Sequence, residues 1–242
     1  VIALVKEVNP PVIRWPGGCF ADGYHWQDGI GPRDQRPVKL DPAWKCWESN
    51  DFGTDEFLQF CKAVGAEPYM CLNFGSGTVE EAAGWVRYSN SSPSTLEGSW
   101  RVANGYSEPY GIRFWGVGNE VSYPTEIGHT NAKTYAKKLI EYCKALKEID
   151  PEVKVVAVGC LASWPKDAIR EKLGRPFSGN LKKFFQSLTD WNETVLEIVG
   201  EYIDFLSVHW YVPLLDPLEA KMLDKDRIYH AIVAAPQDLE RM

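Results

Sequence analysis

The chain alternates short apolar runs with helical segments, and this alternation constrains its fold more than any other feature. Each apolar run is nearly continuous, as expected of strands buried on both faces of a parallel sheet. The segments between the runs carry helical patterns, and Asp150-Pro151 ends the longest of them, 132–149. The sequence therefore predicts an α/β fold with right-handed crossovers between parallel strands. The five predicted strands are 12–15, 68–72, 112–117, 153–158 and 204–208.

Capping signals mark the ends of the shorter helices. Thr54, followed by two acidic residues, predicts an N-cap, and Gly65 predicts the end of the same helix. A last helix is predicted over 226–242. Capping boxes predict the starts of two further helices, at Thr78 with Glu81 and at Asp190 with Glu193.

Polar side chains lie at the ends of four predicted strands. In a barrel of parallel strands, residues at the carboxyl ends of the strands meet at the active site. A dinucleotide-binding sheet would instead show Gly-x-Gly-x-x-Gly after a strand, and the nearest candidate, Gly75-Ser-Gly77, lacks the third glycine. We therefore predict a (β/α)8 barrel. Asn73 has a second interpretation, as a cap of the loop that follows its strand. The strand-end residues are Arg14, Asn73, Asn119, Glu120, His209 and Tyr211.

The spacing of the strands predicts an incomplete barrel. The strands begin about 48 residues apart, so eight units would need roughly 380 residues, against about 250 for a compact barrel. Only five βα units are visible in the 242 residues. We therefore expect residues 1–242 to be one incomplete catalytic domain of a larger enzyme. The segment 163–190 is longer than a usual connection and is interpreted as an inserted loop.

The run from Arg113 to Glu120, Arg-Phe-Trp-Gly-Val-Gly-Asn-Glu, carries the clearest chemical signal. Its strand-forming residues are followed by the carboxamide of Asn119 and the carboxylate of Glu120. A Glu at the carboxyl end of a barrel strand, beside an Asn that can bind a hydroxyl, suits general acid/base catalysis on sugars. The alternative is that Asn119-Glu120 starts a loop or caps the next helix.

Composition and charge exclude several classes of function. The net charge is −7 and no basic stripe is visible, which argues against a nucleic-acid partner. No apolar run approaches the length of a membrane helix, which argues against a membrane partner. The 10 Trp and 11 Tyr residues suit stacking on sugar rings, although for any single Trp a place in the core is favoured.

The six cysteines indicate no metal site, because they show neither a Cys-x-x-Cys pair nor a His spacing suited to zinc. Scattered cysteines in a large α/β chain are usually reduced and buried, which favours a cytoplasmic location. The chain begins with Val1 rather than Met, and we expect its natural N-terminus to lie upstream.

Six short motifs occur in order along the chain. They are Arg14-Trp-Pro-Gly-Gly-Cys-Phe20, Gly23-Tyr-His-Trp-Gln-Asp-Gly-Ile-Gly-Pro32, Phe52-Gly-Thr-Asp-Glu-Phe57, Glu67-Pro-Tyr69, Trp115-Gly-Val-Gly-Asn-Glu120 and His209-Trp-Tyr211. Any one of them alone would be weak, but the set is specific. From about Val12 to Tyr211 the chain resembles glycoside hydrolase family 51, which consists mainly of α-L-arabinofuranosidases.

The resemblance implies roles for particular positions. Glu120, at the end of the fourth strand of the family barrel, matches the general acid/base, and Asn119 matches the residue that binds the arabinose 2-hydroxyl. Arg14 matches an arginine that helps to keep the nucleophile ionised. Further substrate-binding roles are implied for Trp44, which matches an aromatic that lines the sugar site, and for His209 and Tyr211, which match a pair near the nucleophile.

Two departures from the family pattern affect the sugar site. Position 19 is Cys where many members have Asn, and a thiol is a weak hydrogen-bond partner. Cys19 is a candidate sugar contact through its backbone, or a small buried residue after a tight turn. After Glu120 the chain has Val-Ser-Tyr-Pro-Thr-Glu where relatives often have Met-Asp-Gly-Pro-Trp-Gln, so Thr125 replaces a Trp on the leaving-group side.

The resemblance implies a retaining glycoside hydrolase that releases terminal α-L-arabinofuranosyl residues by double displacement, without a cofactor or metal. Strands 2 to 6 of the family barrel are expected, without the first strand, the last two strands and the β-sandwich domain. The nucleophile of the family lies on the seventh strand, so it is expected outside this chain. Glu240 is rejected for that role, because it lies on a predicted helix surface.

The expected partner is an arabinose-containing oligosaccharide or polysaccharide, and the full-length enzyme is left open between a monomer and a homo-oligomer. Two other functions also stay open. One is another retaining barrel glycosidase, because Asn-Glu at a fourth-strand end is shared by related families. The other is a catalytically inactive, carbohydrate-binding barrel.

Overall fold

The computed structural model describes residues 1–160 and 190–209, together with Asp226 and Tyr229. The backbone falls into two compact units, Val1–Val208 and His209–Met242. In the second unit Asp226 and Tyr229 are helical, and the rest of the helix predicted over 226–242 lies outside the described residues. The inserted loop predicted at 163–190 also lies outside them, apart from Asp190.

Within the described part of the first unit, five parallel strands form one sheet. They are β1 (Val12–Trp15), β4 (Glu67–Leu72), β5 (Phe114–Val117), β6 (Lys154–Val158) and β7 (Phe205–Ser207). Strands that follow each other in this series are neighbours in the sheet, so β1 and β7 form its two edges. Arg14 lies level with Tyr69, and Leu72 with Val117. A separate antiparallel hairpin contains β2 (Lys39–Leu40) and β3 (Trp47–Glu48).

Helices lie between successive strands of the sheet, as the crossover prediction requires. The longest, α5, coincides with the amphipathic segment predicted over 132–149. In the described part of the first unit, the α-helices are α1 (Ile2–Val8), α2 (Thr54–Val64), α3 (Val79–Asn90), α4 (Leu96–Ala103), α5 (Ala132–Ile149) and α6 (Trp191–Val199). All five predicted strands are also present, with ends within two residues of the prediction.

The helix caps follow the sequence with three corrections. Asp190 is the N-cap of α6, but its side chain makes no capping hydrogen bond, so the box predicted with Glu193 does not form. Gly53, rather than Thr54, is the N-cap of α2, and its N–H donates to Oε2 of Glu56 at 2.9 Å. The hydroxyl of Thr54 is buried and accepts a hydrogen bond from Nε1 of Trp85 at 3.1 Å instead. Thr78 does cap α3, but the carboxylate of Glu81 pairs with His25 at 2.9 Å and does not close the predicted box.

Three short elements carry no signal in the sequence analysis: α1, α4 and the β2–β3 hairpin. Helix α1 buries none of its residues, and each hairpin strand is only two residues long. Helix α4 follows a Ser-rich segment, and its N-cap Thr95 accepts the N–H of Gly98 at 3.2 Å. Helix α1 and the hairpin are short and little buried, and the buried residues of α4 include the charged Glu97 and Arg101. A search for periodic apolar residues therefore misses these elements.

The core lies between the sheet and its helices and is rich in aromatic rings. Trp15 at the end of β1 stacks on Phe57 of α2, with ring centroids 5.3 Å apart. Most of these rings therefore serve packing, which is the interpretation favoured for any single Trp. Among the residues that the structure describes, the fully buried tryptophans are Trp26, Trp85, Trp115 and Trp191.

The cysteines are unpaired, and four of the six are buried, at Cys61, Cys71, Cys143 and Cys160. Cys46 is exposed, contrary to the general expectation of burial. Among the described residues, no helix combines the length and the apolar character needed to cross a bilayer.

Candidate active site

Four of the predicted site residues lie at the carboxyl edge of the sheet. Because β1, β4 and β5 are parallel neighbours, their carboxyl ends share one edge. Arg14 is the third residue of β1, Asn73 directly follows β4, and Asn119 and Glu120 follow β5 after Gly118. The fold thus provides the strand-end arrangement on which the predicted site depends.

The backbone turns sharply between β5 and Glu120. Gly118 has φ of +84°. Its N–H donates to the carbonyl of Leu72 at 3.0 Å, and this hydrogen bond holds the turn against the end of β4. Glu120 has φ of +48°, in the left-handed region that few non-glycine residues adopt. The turn leaves Asn119 buried and Glu120 half-buried. A half-buried carboxyl at a strand end is suited to exchange protons with a bound molecule.

Arg14 joins β1 to the residue before Glu120. Its Nη2 donates to Oδ1 of Asn119 at 2.9 Å and lies 3.1 Å from Sγ of Cys71. The guanidinium also lies over the ring of Tyr69, 5.8 Å from its centroid. Its Nε is buried without a hydrogen-bond partner, and Arg14 forms no ion pair within the described residues.

Asp22 holds three segments of the site together. Its side chain accepts the N–H groups of Phe74 and Gly75 at 2.9 and 3.2 Å, and that of Asn119 at 2.9 Å. The residue is completely buried, and burial raises the pKa of its carboxyl to about 6, although the three N–H donors favour the ionised form. Asp22 therefore fixes the backbone of Asn119 from the Gly18–Gly23 turn.

Glu126 forms the second buried contact of Asn119. Its Oε1 accepts a hydrogen bond from the thiol of Cys19 at 3.2 Å, and its Oε2 accepts a long one from Nδ2 of Asn119 at 3.5 Å. Burial, with the hydrogen bond to Glu126, raises the pKa of Cys19 to about 11. The thiol therefore stays protonated at neutral pH and acts as a donor, not as a nucleophile.

The sequence analysis did not identify Asp22 and Glu126 as site residues. Asp22 lies between the first two motifs, Arg14–Phe20 and Gly23–Pro32. An acidic residue in such a Gly-rich turn could have been identified as a candidate site residue. Glu126 lies six positions after Glu120, in the segment that was noted only for its departure from the family pattern. Both residues contact Asn119 in the structure, and the spacing of residues along the sequence does not predict such contacts.

Asn73 holds the loop that follows β4. Its Oδ1 accepts the N–H groups of Ser76 and Gly77 at 2.9 and 3.0 Å. Its Nδ2 donates to the carbonyl of Tyr24 and the hydroxyl of Ser76, both at 3.0 Å. All four hydrogen-bonding positions of the carboxamide are therefore used within the protein. This arrangement matches the loop-cap interpretation and leaves no unused donor or acceptor for a sugar.

Among the remaining predicted site residues, no described contact joins Trp44 to this cluster. Trp44 lies in the turn between β2 and β3, and 66% of its surface is exposed. His209 is the first residue of the second unit, and Tyr211 lies outside the described residues. Sugar-binding roles for these three residues stay predictions.

Two clefts that share lining residues lie beside the Gly18–Gly23 turn. One, of about 220 Å³, is lined mainly by aromatic rings, including those of Trp15 and Phe52. The other, of about 350 Å³, extends along the β2–β3 hairpin. Both are lined by Phe20 and Tyr24, and neither is lined by Glu120. In the part of the chain that the structure describes, no group of three or more His, Cys, Asp or Glu side chains is placed to hold a metal ion.

Comparison with known proteins identifies the family. The family model described as "Alpha-L-arabinofuranosidase 1 domain" matches residues 4–195. The structure of AbfB, a family 51 α-L-arabinofuranosidase from Bifidobacterium longum, superimposes with a TM-score of 0.81 at 30% identity, over 99% of this chain and 43% of that one. The chain belongs to glycoside hydrolase family 51.

Other relatives agree with this assignment. An intracellular exo-α-(1→5)-L-arabinofuranosidase from Halalkalibacterium halodurans is 35% identical to this chain. The match covers 97% of this chain and 44% of the relative's length. A probable α-L-arabinofuranosidase C from Aspergillus clavatus is 48% identical over 68% of the chain and 33% of its own length. The Thermotoga maritima α-L-arabinofuranosidase, solved as an arabinose complex, is 42% identical with a TM-score of 0.74, over 90% and 40% of the two chains. The chain thus spans less than half the length of these relatives.

Proposed function

We propose that this chain is part of a retaining α-L-arabinofuranosidase in which Glu120 is the general acid/base. The proposal combines the family with a half-buried carboxyl at a strand end, directly after the buried Asn119. The enzyme releases terminal α-L-arabinofuranosyl residues from arabinose-containing oligosaccharides or polysaccharides. The arabinose bound by the Thermotoga maritima enzyme supports this choice of sugar.

The reaction proceeds by two displacements at the anomeric carbon. In the first, a carboxylate attacks this carbon while Glu120 gives its proton to the departing glycosidic oxygen, so that a glycosyl ester forms and the glycosidic bond breaks. In the second, Glu120 takes a proton from water, whose oxygen attacks the same carbon and displaces the carboxylate. Asn119 binds the sugar 2-hydroxyl, and this hydrogen bond strengthens in the transition state.

The single observation that carries the proposal is the environment of Arg14. Arg14 is half-buried and its Nε is fully buried. A cationic group with buried donors is usually paired with an acid, and leaving such donors unpaired is costly. Arg14 contacts Asn119, yet its Nε has no hydrogen-bond partner. A carboxylate that came to lie beside Arg14 would be held ionised, as a nucleophile must be. We assign that position to the nucleophile Glu, supplied by sequence outside these 242 residues.

The proposal also assigns the five strands of the sheet to positions in a barrel. Five parallel strands in sequential order are what an arc of a (β/α)8 barrel requires. We assign them to strands 2 to 6 of the family barrel. The nucleophile on strand 7 then approaches Glu120 from the β7 side of the arc. We further propose an intracellular location, supported by the unpaired cysteines and by the name of the Halalkalibacterium relative.

Product stereochemistry and substrate choice test the proposed function. An enzyme extended to the length of its relatives should hydrolyse aryl α-L-arabinofuranosides in preference to a panel of other aryl glycosides. Proton NMR of the first turnovers should show the α-anomer of arabinose before mutarotation. Initial release of the β-anomer, or preference for another glycoside, would contradict the proposal. A complete lack of turnover with retained sugar binding would favour the inactive binding barrel.

A further inference from the structure

We propose that Glu126 is the positioning residue that orients the carboxamide of Asn119 toward the substrate. The proposal rests on the proposed function, because it concerns the residue assigned to the sugar 2-hydroxyl. It adds a residue that acts through Asn119 and does not itself take part in the chemistry.

The carboxamide of Asn119 lies between a donor and an acceptor. On one side, Nη2 of Arg14 donates to its Oδ1 at 2.9 Å. On the other, Oε2 of Glu126 accepts from its Nδ2 at 3.5 Å. A flipped carboxamide would face Arg14 with a donor and Glu126 with an acceptor, so both contacts would become repulsive. Arg14 and Glu126 therefore select one orientation of the Asn119 carboxamide. Neither of them uses the second N–H of Nδ2.

Glu126 is itself held in place. It is only 8% exposed, and its Oε1 accepts the thiol hydrogen of Cys19 at 3.2 Å. Its backbone N–H donates to Tyr123 and its carbonyl accepts from His129, both at 3.1 Å, so the residue is part of a tight turn. Because both carboxylate oxygens are used, Glu126 is suited to fix a neighbour and is poorly placed to attack a sugar.

Orientation affects the reaction because a donor aimed at the 2-hydroxyl stabilises the transition state more than the ground state. Loss of the acceptor at position 126 should therefore lower kcat more than it raises KM. It should also matter only when Asn119 is present. A residue that merely supports the fold would lower activity in either background.

The test is a double-mutant cycle in the full-length enzyme with an aryl α-L-arabinofuranoside. Glu126→Leu removes both acceptor oxygens and should lower kcat/KM about tenfold, mainly through kcat. Glu126→Gln keeps one acceptor for Asn119 and should retain most of the activity. In an Asn119→Ala background, Glu126→Leu should change kcat/KM by less than about twofold. Glu141→Leu, on the exposed face of α5, is the matched control and should match the wild type.

Equal losses from Glu126→Leu in the two backgrounds would overturn the proposal, as would wild-type activity of Glu126→Leu. If thermal unfolding shows that Glu126→Leu does not fold, Glu126→Ala, which removes the same oxygens, takes its place in the double-mutant cycle. Failure of the proposed function is recognised separately, because the wild-type enzyme itself would then show no turnover of the arabinofuranoside.

Discussion

Nη2 of Arg14 donates a hydrogen bond to Oδ1 of Asn119 at 2.9 Å, across 105 positions of sequence. The contact joins two strand ends that are separated in the sheet by β4. It places a guanidinium beside the residue that precedes Glu120. In the proposed reaction the same guanidinium also lies beside the attacking carboxylate, so Arg14 acts on both Asn119 and the nucleophile.

Replacement of Arg14 should therefore affect catalysis more than stability. Arg14→Lys keeps the charge but loses the guanidinium nitrogen Nη2, which contacts both Asn119 and Cys71. We expect kcat/KM on an aryl arabinofuranoside to fall about tenfold to hundredfold. Arg113→Lys is the matched control, because Arg113 is exposed, directly precedes β5 at the amino edge of the sheet and pairs with Glu67. Equal activity of the two variants would contradict the role given to Arg14.

Asp22 should give the protein a distinct pH dependence of stability. Burial raises the pKa of its carboxyl from 3.8 to about 6, so the folded state holds this proton more tightly than the unfolded state. The stability that this proton confers is fully present below the unfolded pKa and is lost as the pH rises through about 6. Relative to Asp22→Asn, the wild type should therefore become less stable between about pH 4 and about pH 7.

Thermal unfolding of the wild type and Asp22→Asn across this pH range measures the difference. Asp34→Asn, at an exposed position, gives the baseline. A wild type that gains stability over Asp22→Asn as the pH rises would show the opposite balance. The hydrogen bonds from Phe74, Gly75 and Asn119 would then outweigh burial and hold the pKa below its usual value.

The sequence allowed the sheet and α5 to be predicted because burial leaves a continuous or periodic apolar pattern in such elements. It also indicated that Arg14 and Asn119 would share an edge, since parallel strands end together. Asp22 and Glu126 could not be found in this way. They lie in irregular segments, and their contacts depend on how these segments fold back, as when Asp22 meets Asn119 across 97 positions.

The 242-residue chain expressed alone should not hydrolyse arabinofuranosides. Apart from Glu120, the described carboxylates beside Asn119 are Asp22 and Glu126, and both form hydrogen bonds within the protein. The edge residues Val12 and Phe205 are 42% and 51% exposed, and open sheet edges with apolar side chains favour aggregation. We expect a poorly soluble product, or one that binds sugar without turnover. Robust turnover that is abolished by Glu120→Ala would show that a nucleophile lies within this chain.

The most direct test of the central claim is the kinetics of Glu120→Ala in the full-length enzyme with and without azide. Natural arabinosides have poor leaving groups that need a proton, so their hydrolysis should be almost abolished. An aryl substrate with a good leaving group should still form the glycosyl-enzyme, and azide should restore turnover and yield α-L-arabinofuranosyl azide. Equal loss of activity on both substrates, with no effect of azide, would contradict the assignment of Glu120 as general acid/base.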